Sequence, residues 1–328
     1  MNSEANRLST SPDDASTRAG FVAVAGLPNV GKSTLLNALV GAPLAAVSAR
    51  AQTTVRTTRG VVTRDRSQSI LLDLPGLLVP ADLLQASIRR EAERGLSDAD
   101  VVLLVVDASR SADGFGEVVE RLPSAARRLP LVVALNKADL AGEQELLRWE
   151  AAVCELLPGG VTTRTSAIAP YGLSDLLENV EAALPASPFL YPEDEIAAEP
   201  LRHFMAELVR EAVFELFREE VPHATWARTE DFREGGSRER TYIQVTLWVE
   251  RGSQKAILLG SKGAAIRELG VRSRKKIEAF LDRPVYLDLW VKVLPGWRRK
   301  RQALERFGFS LPPEGADDRG NRGSGREG

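Results

Sequence analysis

The stretch GLPNVGKST, residues 26–34, constrains the fold of this chain more than any other feature. It matches the pattern G-x-x-x-x-G-K-[ST] and stands between an apolar run, 21–25, and a helix-like run, 33–40. A glycine loop between a strand and a helix can wrap backbone N–H groups around phosphates, because no Cβ blocks their approach. The helix N-terminus adds partial positive charge. The sequence therefore predicts a phosphate-binding P-loop, with a glycine turn that binds nothing as the alternative.

Each position of this loop has an expected role in holding a nucleotide. Lys32 would reach the β- and γ-phosphates, and the Ser33 hydroxyl would ligate Mg²⁺. The predicted nucleotide-binding residues of the stretch are Asn29, Val30, Gly31, Lys32, Ser33 and Thr34.

Apolar runs alternate with amphipathic helical segments from Phe21 to about Leu184. Val101–Asp107 and Leu131–Leu135 are continuous apolar runs, as expected of strands buried on both faces of a parallel sheet. The alternation predicts a doubly wound α/β domain of the P-loop NTPase class. The other predicted strands are 21–25, 60–63, 69–73 and 161–165, and the predicted helices are 32–40, 82–97, 116–128, 144–157 and 173–184.

Polar clusters stand at the ends of the predicted strands, where ligands bind in sheets of this kind. Asp73 closes one strand, and Gly76 follows three residues later. A carboxylate at that point suits an Mg²⁺-water contact, and the glycine suits a γ-phosphate sensor. By itself this pattern is also that of an ordinary turn.

Two more strand ends carry residues suited to a guanine base. Asp139 could accept hydrogen bonds from guanine N1–H and the N2 amine, a pair of donors that adenine lacks. The Lys137 stem would cover the base plane, and Asn136 would brace the P-loop. Ser166 and Ala167 close the last strand and could offer a backbone N–H to guanine O6. GTP and GDP are therefore the expected ligands.

In this order, the four clusters resemble the G1, G3, G4 and G5 motifs of translation-factor-like GTPases. The resemblance implies a G2 threonine within Ala51-Gln-Thr-Thr54, which would close on Mg²⁺ and the γ-phosphate when GTP is bound. Thr54 is favoured, with Thr53 as the alternative and a passive polar loop as the other interpretation. The implied catalytic residues are Lys32, Thr54, Asp73 and Gly76.

Leu77 follows Gly76 at the position where a glutamine could orient water. Asn29 resembles the asparagine that holds K⁺ near the phosphates in related GTPases, which implies K⁺ as a second cofactor beside Mg²⁺. A P-loop capping role is the alternative for Asn29.

The C-terminal part of the chain predicts an RNA-binding module. Gly260-Ser261-Lys262-Gly263 lies between helical segments and resembles the loop of KH domains, which clamps about four nucleotides of single-stranded RNA. The predicted α-β-β-α-α-β order matches a type II KH fold, with a first helix over 201–217 and strands over 224–232, 242–249 and 285–293. The predicted RNA-binding residues are Gly260, Ser261, Lys262, Gly263, Arg267 and Lys275, within a basic stretch whose plainer interpretation is a solvated face.

Residues 21–308 resemble the Era family, bacterial GTPases of small-subunit ribosome assembly. The resemblance rests on the motifs above and on Leu-Trp-Val-Lys-Val-x-x-Gly-Trp near the end. It implies binding to the 3′ end of 16S rRNA and to the 30S subunit, action in 16S rRNA processing and 30S biogenesis, a monomer, and a peripheral membrane association. Val55 and Leu74 depart from the residues usual in the family and put its switch behaviour in doubt.

The expected domain organisation has five parts. They are a disordered tail over 1–19, a G domain over 20–185, a Pro-rich acidic linker over 186–200, a KH domain over 201–308 and a disordered tail over 309–328. The N-terminus lacks the apolar region of a secretory signal, no apolar run reaches membrane-spanning length, and Cys154 is the single cysteine. A cytoplasmic location is therefore expected.

Three rival functions are weighed against this prediction. The first is a GTPase with another task, such as a tandem-domain ribosome GTPase or a tRNA-modifying GTPase. The tandem-domain type needs a second P-loop motif, which the sequence lacks. An RNA-binding protein with a relic nucleotide domain conflicts with the intact Lys32, Ser33, Asp73 and Asp139. A membrane-associated signalling protein stays open, because a basic patch also binds anionic lipid.

Overall fold

The computed structural model describes residues 17–45, 57–75, 80–197, 201–236 and 239–312. The chain divides into two compact units. Unit 1 contains 1–44, 58–73 and 96–198, and unit 2 contains 45–57, 74–95 and 199–328. The segment 74–95 therefore clusters with the C-terminal residues, although it lies between strands of unit 1 in the sequence.

Unit 1 is built on a six-stranded sheet. Its strands are β1 (Arg18–Ala25), β2 (Thr58–Arg64), β3 (Ser67–Asp73), β4 (Val101–Asp107), β5 (Leu131–Asn136) and β6 (Val161–Arg164), in the order β2-β3-β1-β4-β5-β6. β2 pairs antiparallel with β3, and the other pairs are parallel. The helices of this unit are α1 (Lys32–Val40), α3 (Phe115–Arg121), α4 (Glu143–Leu156) and α5 (Leu173–Ala183), and most of α2 (Leu83–Ser97) belongs to unit 2.

The predicted doubly wound α/β architecture is confirmed. Every residue of β3 and β4 is buried, as expected for strands that helices cover on both faces. β1 lies between β3 and β4, so the carboxyl ends of the three strands meet at one edge of the sheet. That edge is where a parallel sheet of this kind offers its ligand crevice.

The structure differs from the sequence-based expectation at one helix. The helix expected over 116–128 ends at Arg121, and a single 3-10 turn covers Ala126–Arg128. Pro123 explains the break, because a proline pushes the residue before it out of helical geometry, and Leu122 is extended with ψ 130°.

Residues on both sides of unit 1 extend its sheet. β1 begins at Arg18, within the stretch assigned to the N-terminal tail, and Arg18 pairs with Ser67. Residues 186–197, within the stretch assigned to the linker, attach to the same sheet. The buried Gln68 side chain accepts from Leu190 N at 2.7 Å and donates to Tyr191 O at 2.9 Å. The Pro-rich stretch is thus held on unit 1 up to residue 197.

Unit 2 is an α+β unit with a three-stranded sheet, β7-β8-β9. Its elements are α6 (Leu201–Leu216), α7 (Val221–Ala224), β7 (Trp226–Arg233), β8 (Thr241–Val249), α8 (Gly252–Leu259), α9 (Ala264–Leu281), β9 (Val285–Val293) and α10 (Arg301–Arg306). Alternate residues of β8, Ile243, Val245 and Leu247, are fully buried and face the helices. The predicted order of helices and strands in this half of the chain is confirmed.

An aromatic cluster covers part of the opposite face of this sheet. Trp226 and Trp248 pack there with Trp297, Phe307 and Leu84, the last from α2. An ion pair of 2.7 Å between Asp82 and Arg298 and a hydrogen bond from Ser87 Oγ to Ser310 O tie the same helix to the C-terminal segment. These contacts explain why the start of α2 belongs to unit 2.

Among the helices of the described ranges, none combines the length and apolar character that crossing a membrane requires.

Candidate functional site

The P-loop connects β1 to α1 and packs against the end of β5. Gly31 caps α1 in the left-handed region with φ 94°, and a Cβ there would lie 2.5 Å from Asn136 Nδ2. Asn136 uses that nitrogen to donate to Val30 O at 2.9 Å. The loop can therefore close on Asn136 only because position 31 is glycine, and the expected brace from Asn136 is present.

Lys32 lies almost entirely inside the P-loop. Its side chain is 7% exposed, and Nζ donates to Gly26 O at 3.2 Å and to Leu27 O at 3.1 Å. Burial lowers the pKa of Lys32, and the charge of Asp73 opposes part of that shift. The ammonium is thus held within the curve of the loop by carbonyl groups.

The second predicted cluster meets the P-loop through Ser33. Ser33 Oγ donates to Asp73 Oδ2 at 2.6 Å, which joins the start of α1 to the end of β3. Asp73 is fully buried. A hydroxyl and a carboxylate in contact are hard oxygen donors of the kind that Mg²⁺ takes, so the residues present fit this ion.

Other predicted switch residues lie outside the described residues. These are Thr53, Thr54, Val55, Gly76 and Leu77. Leu74 is described and is 1% exposed, and a Cβ on Gly95 would clash with it at 2.3 Å. The departure at position 74 therefore places an apolar side chain against α2.

Lys137 lies at the end of β5 in the left-handed region, with φ 61°. Its Nζ donates to Asn29 O at 2.9 Å and to Asp107 Oδ2 at 2.6 Å. Lys137, which is expected from the sequence to cover the base, thus also links the P-loop to β4.

Asp107 is a residue of this site that the sequence reasoning missed. It is 6% exposed, and its other carboxylate oxygen accepts from Ser109 Oγ at 2.5 Å. Burial alone would raise the pKa of Asp107, but the hydrogen bonds from Lys137 and Ser109 and the Lys137 charge outweigh burial and hold it below its usual value. The signal is present in the sequence, because Asp107 ends a buried apolar run just as Asp73 does.

The predicted guanine-reading residues lie beside this network. Asp139 is exposed within the 3-10 turn Ala138–Leu140. Ala138 N donates to Thr165 O at 3.0 Å, which brings the Asn-Lys-x-Asp segment against the Ser166-Ala167 segment. Ser166 is buried, and its hydroxyl accepts from Ala169 N at 3.1 Å. The structure therefore gathers every described residue of the predicted nucleotide site at one edge of the sheet.

The predicted RNA loop of unit 2 joins α8 to α9 as an exposed turn. Gly260 and Gly263 have φ of 69° and 77°, and a Cβ on Gly260 would meet Ala265 Cβ at 2.6 Å. Ser261 and Lys262 between them are exposed. The glycines thus form the tight turn that presents both side chains to solvent.

Two of the predicted RNA-binding cations share one face of α9. Arg267 and Lys275 are exposed, and the spacing of i and i+8 places Val271, 40% exposed, between them. Other cations of the basic stretch are paired with carboxylates, namely Arg272 with Glu268, Arg274 with Glu278, and Lys276 with Glu211 and Glu215. The basic face is therefore narrower than the sequence indicates.

Comparisons with known proteins agree with this architecture. Residues 21–137 match the family model described as 50S ribosome-binding GTPase, and residues 220–298 match the model of KH domains. The chain is 39% identical over 299 residues to a GTPase Era of Mesorhizobium japonicum, which covers 90% of this chain and 95% of that protein.

Two solved structures are similar along the chain. One is a crystal structure of an Aquifex aeolicus Era variant bound to GDP·AlF4⁻, with a TM-score of 0.84 and 35% identity. The other is Era in complex with MgGDPNP and nucleotides 1506–1542 of 16S ribosomal RNA, with a TM-score of 0.81 and 34% identity. Each covers 90% of this chain and 100% of the chain compared.

Proposed function

The chain belongs to the GTPase Era family and is a GTPase, and on that premise we propose that it binds the 3′ end of 16S rRNA through its KH unit and acts in 16S rRNA processing and 30S subunit biogenesis. The observation that carries the proposal is the presence of an assembled P-loop site in unit 1 and an exposed Gly-x-x-Gly loop with aligned cations in unit 2 of one chain. A similar Era holds a fragment of 16S rRNA together with MgGDPNP, which supports the same pair of ligands here.

In the proposed nucleotide site, Lys32 contacts the β- and γ-phosphates, and the loop backbone of 29–34 surrounds them. Asp139 reads the guanine edge, Lys137 covers the base, and Ser166-Ala167 offers a backbone N–H to O6. The contacts of Asn136 and Lys137 with the P-loop support this assignment, because they fix the base side and the phosphate side of the site to each other.

Ser33 would hold Mg²⁺ directly, and Asp73 would act through a water, which the direct contact between their side chains supports. When bound, the ion would neutralise charge that develops on the phosphates. Thr54 and Gly76, outside the described residues, complete the proposed catalytic set.

Asn29 is the proposed ligand of a K⁺ ion. The residue is exposed on the P-loop with φ 66°, and its backbone oxygen accepts a hydrogen bond from Lys137, which fixes the backbone at this position. An amide oxygen is a ligand type that a hard monovalent cation accepts. Leu77, and not a glutamine that could orient water, follows Gly76, and a K⁺ ion near the phosphates would stabilise transition-state charge as an arginine finger does.

We further propose a monomeric, cytoplasmic protein with a peripheral association with the inner face of the cell membrane. The exposed cations Lys262, Arg267 and Lys275 support such an association, since anionic lipid attracts the same charges as RNA. Flotation with liposomes, with and without RNase, separates lipid binding from RNA binding, and light scattering gives the oligomeric state.

The rRNA proposal is tested by binding and turnover with the full chain. We expect GTP hydrolysis and tighter binding to an oligonucleotide with the 16S 3′-end sequence than to a scrambled oligonucleotide of equal composition. Equal affinity for both sequences would contradict the assignment to 16S rRNA, whereas the GTPase activity would be unaffected.

A further inference from the structure

The sheet of unit 2 has a second face that the helices α6, α8 and α9 do not cover. Side chains alternate along β8 and β9, and those that point away from the helices are Tyr242, Gln244, Thr246 and Trp248, and Tyr286, Asp288, Trp290 and Lys292. The aromatic cluster around Trp226 covers only the Trp248 end of this face. At the other end Tyr286 and Trp290 of β9 are exposed, Tyr242 and Gln244 of β8 are half-buried, and Thr246 is buried.

Three aromatic side chains occupy this open end, and together they are named the outer platform: Tyr242, Tyr286 and Trp290. The rings of Tyr242 and Tyr286 are parallel within 14°, with centroids 5.9 Å apart. Tyr286 is 57% exposed and Trp290 is 50% exposed. Single exposed aromatic residues are common, but neighbours on adjacent strands form a contiguous patch, and such patches mark interaction sites.

Polar contacts hold the outer platform in a fixed arrangement. Asp288 Oδ2 accepts from Trp290 Nε1 at 2.8 Å and from the Tyr242 hydroxyl at 3.3 Å. The carboxylate thus lies between two platform residues and fixes their orientation.

Cations border the outer platform at both ends. The Arg233 guanidinium, which also pairs with Asp231, lies 5.2 Å from the Tyr242 ring centroid, and its side chain is 73% exposed. Lys292 is exposed at the opposite end, with Nζ 5.4 Å from the Trp248 ring centroid. Aromatic faces flanked by cations match the alternation of bases and phosphates in a single strand.

The outer platform is continuous with the loop side of unit 2 through β9. β9 is an edge strand, and its inner face packs on α9, where Leu289 lies 3.8 Å from the position of a Cβ on Gly270. A route for RNA from the loop between α8 and α9 to the outer face would lead past β9, the last strand in the sheet order β7-β8-β9. The loop itself takes only about four nucleotides, so a longer RNA continues beyond it.

We propose that the outer platform is a second RNA-binding surface, which stacks unpaired bases of single-stranded RNA that continues past the Gly-x-x-Gly loop. This inference rests on the proposed function, since it requires that the loop hold single-stranded RNA.

The first test uses the intrinsic fluorescence of the unmodified protein. Four of the five tryptophans are at most 7% exposed, and Trp290 is the exposed one. An oligonucleotide of about twelve nucleotides should quench the exposed fraction of the emission, and one of about four nucleotides should bind without quenching it. Binding of the longer oligonucleotide without quenching would overturn the proposal.

The second test compares variants of the full chain. Trp290→Ala and Tyr286→Ala should each lower the affinity for the longer oligonucleotide by roughly 5- to 100-fold, because stacking is worth about 1–3 kcal/mol per base. The affinity for the shorter oligonucleotide should stay within about twofold of the wild-type value. Trp290→Phe and Tyr286→Phe keep an aromatic face and should retain most of the affinity. Tyr171→Ala, which removes an exposed tyrosine of unit 1, is the control and should change neither affinity.

Three further outcomes would contradict the proposal that the outer platform binds RNA. One is unchanged affinity of the alanine variants for the longer oligonucleotide, and another is an equal loss for both lengths with native circular dichroism. The third is quenching of Trp290 by an arginine-rich peptide but not by RNA, which would assign the surface to a cationic protein segment. If the wild-type protein binds neither oligonucleotide, the proposed function fails instead.

Discussion

In unit 1 the residues of the candidate site are buried and joined by hydrogen bonds, whereas in unit 2 the residues of the candidate loop face solvent. Lys32, Asp73, Asp107 and Asn136 are each less than 10% exposed, and hydrogen bonds join the P-loop to the ends of β3 and β5. Ser261 and Lys262 are exposed, and the turn that carries them is held by its glycines.

The difference follows from the ligands that the two regions are expected to take. A nucleotide is small, so polar groups that buried contacts fix in advance can hold its phosphates, whereas the exposed Asp139 is expected to discriminate its base. An RNA strand is long and flexible, and exposed cations beside a glycine turn can follow its backbone at a low cost in reorganisation. Substitutions in the site of unit 1 should therefore change the affinity for particular nucleotides. Substitutions in the loop of unit 2 should change RNA affinity to a similar degree for all RNA sequences.

The largest effect is expected at Asp139. Asp139→Asn removes the acceptor for the guanine N1–H and N2 amine and offers an amide that can donate to xanthine O2. The preference for GTP over XTP should fall by roughly 10⁴-fold, as in sites built around such a hydrogen-bond pair. Competition of the two nucleotides measures it, with the exposed Asp175→Asn as control. A variant that still prefers GTP over XTP would refute the role of Asp139.

Replacement of both Ser261 and Lys262 by Asp should have the next largest effect. It places two negative charges where phosphates approach and removes one cation. RNA affinity should therefore fall by about tenfold or more. The slope of log K against log salt should become shallower by about 0.7, the value for one lost phosphate contact. GTP binding should not change.

The matched control makes the same charge change on unit 1, with Ser124→Asp and Arg127→Asp, both exposed. It should bind RNA as the wild type does. Unchanged RNA affinity of the loop variant, with native circular dichroism, would reduce the basic face to a solvated surface.

Asp107→Asn should lower the affinity for GTP and GDP about tenfold. The charged hydrogen bond between Asp107 and Lys137 is worth about 1.5–3 kcal/mol, and the remaining hydrogen bond from Lys137 to Asn29 O should offset part of its loss. Isothermal titration of both nucleotides measures it. Ser109→Ala removes the hydroxyl that donates to the other carboxylate oxygen and leaves the pair with Lys137, so this variant is expected to bind both nucleotides near normally. If the two variants lose nucleotide affinity equally, the Asp107 carboxylate stabilises the loop after β4 and does not act through Lys137.

The smallest effect is expected from the monovalent cation. Turnover should be severalfold faster in K⁺ than in Na⁺ at equal ionic strength, and Asn29→Ala should abolish the difference. Equal rates in both salts would remove K⁺ from the account and leave the GTPase assignment in place.

The position of the proposed nucleotide-site residues at the strand ends could be predicted, because strands with continuous apolar runs are easy to locate. Asp107 was missed because a single aspartate has no spacing partner. Its role depends on Lys137, which lies 30 residues away and approaches it only once β4 and β5 pair.

Packing between distant segments was also beyond the sequence. The periodicity of α2 predicts a helix but not that Leu84 joins Trp226 and Trp297 in unit 2. Likewise, the composition of the basic stretch cannot show that Lys276 is paired with Glu211 of α6. In both cases the partner is set by tertiary structure and not by local pattern.

The central claim, that one chain joins a GTPase site to a 16S rRNA site, is tested most directly by crosslinking the protein to RNA in cells and sequencing the attached RNA. The account predicts reads concentrated at the 3′ end of 16S rRNA, and their loss when Ser261 and Lys262 are both replaced by Asp. Reads spread over unrelated RNAs, or an unchanged 16S peak in the loop variant, would contradict it.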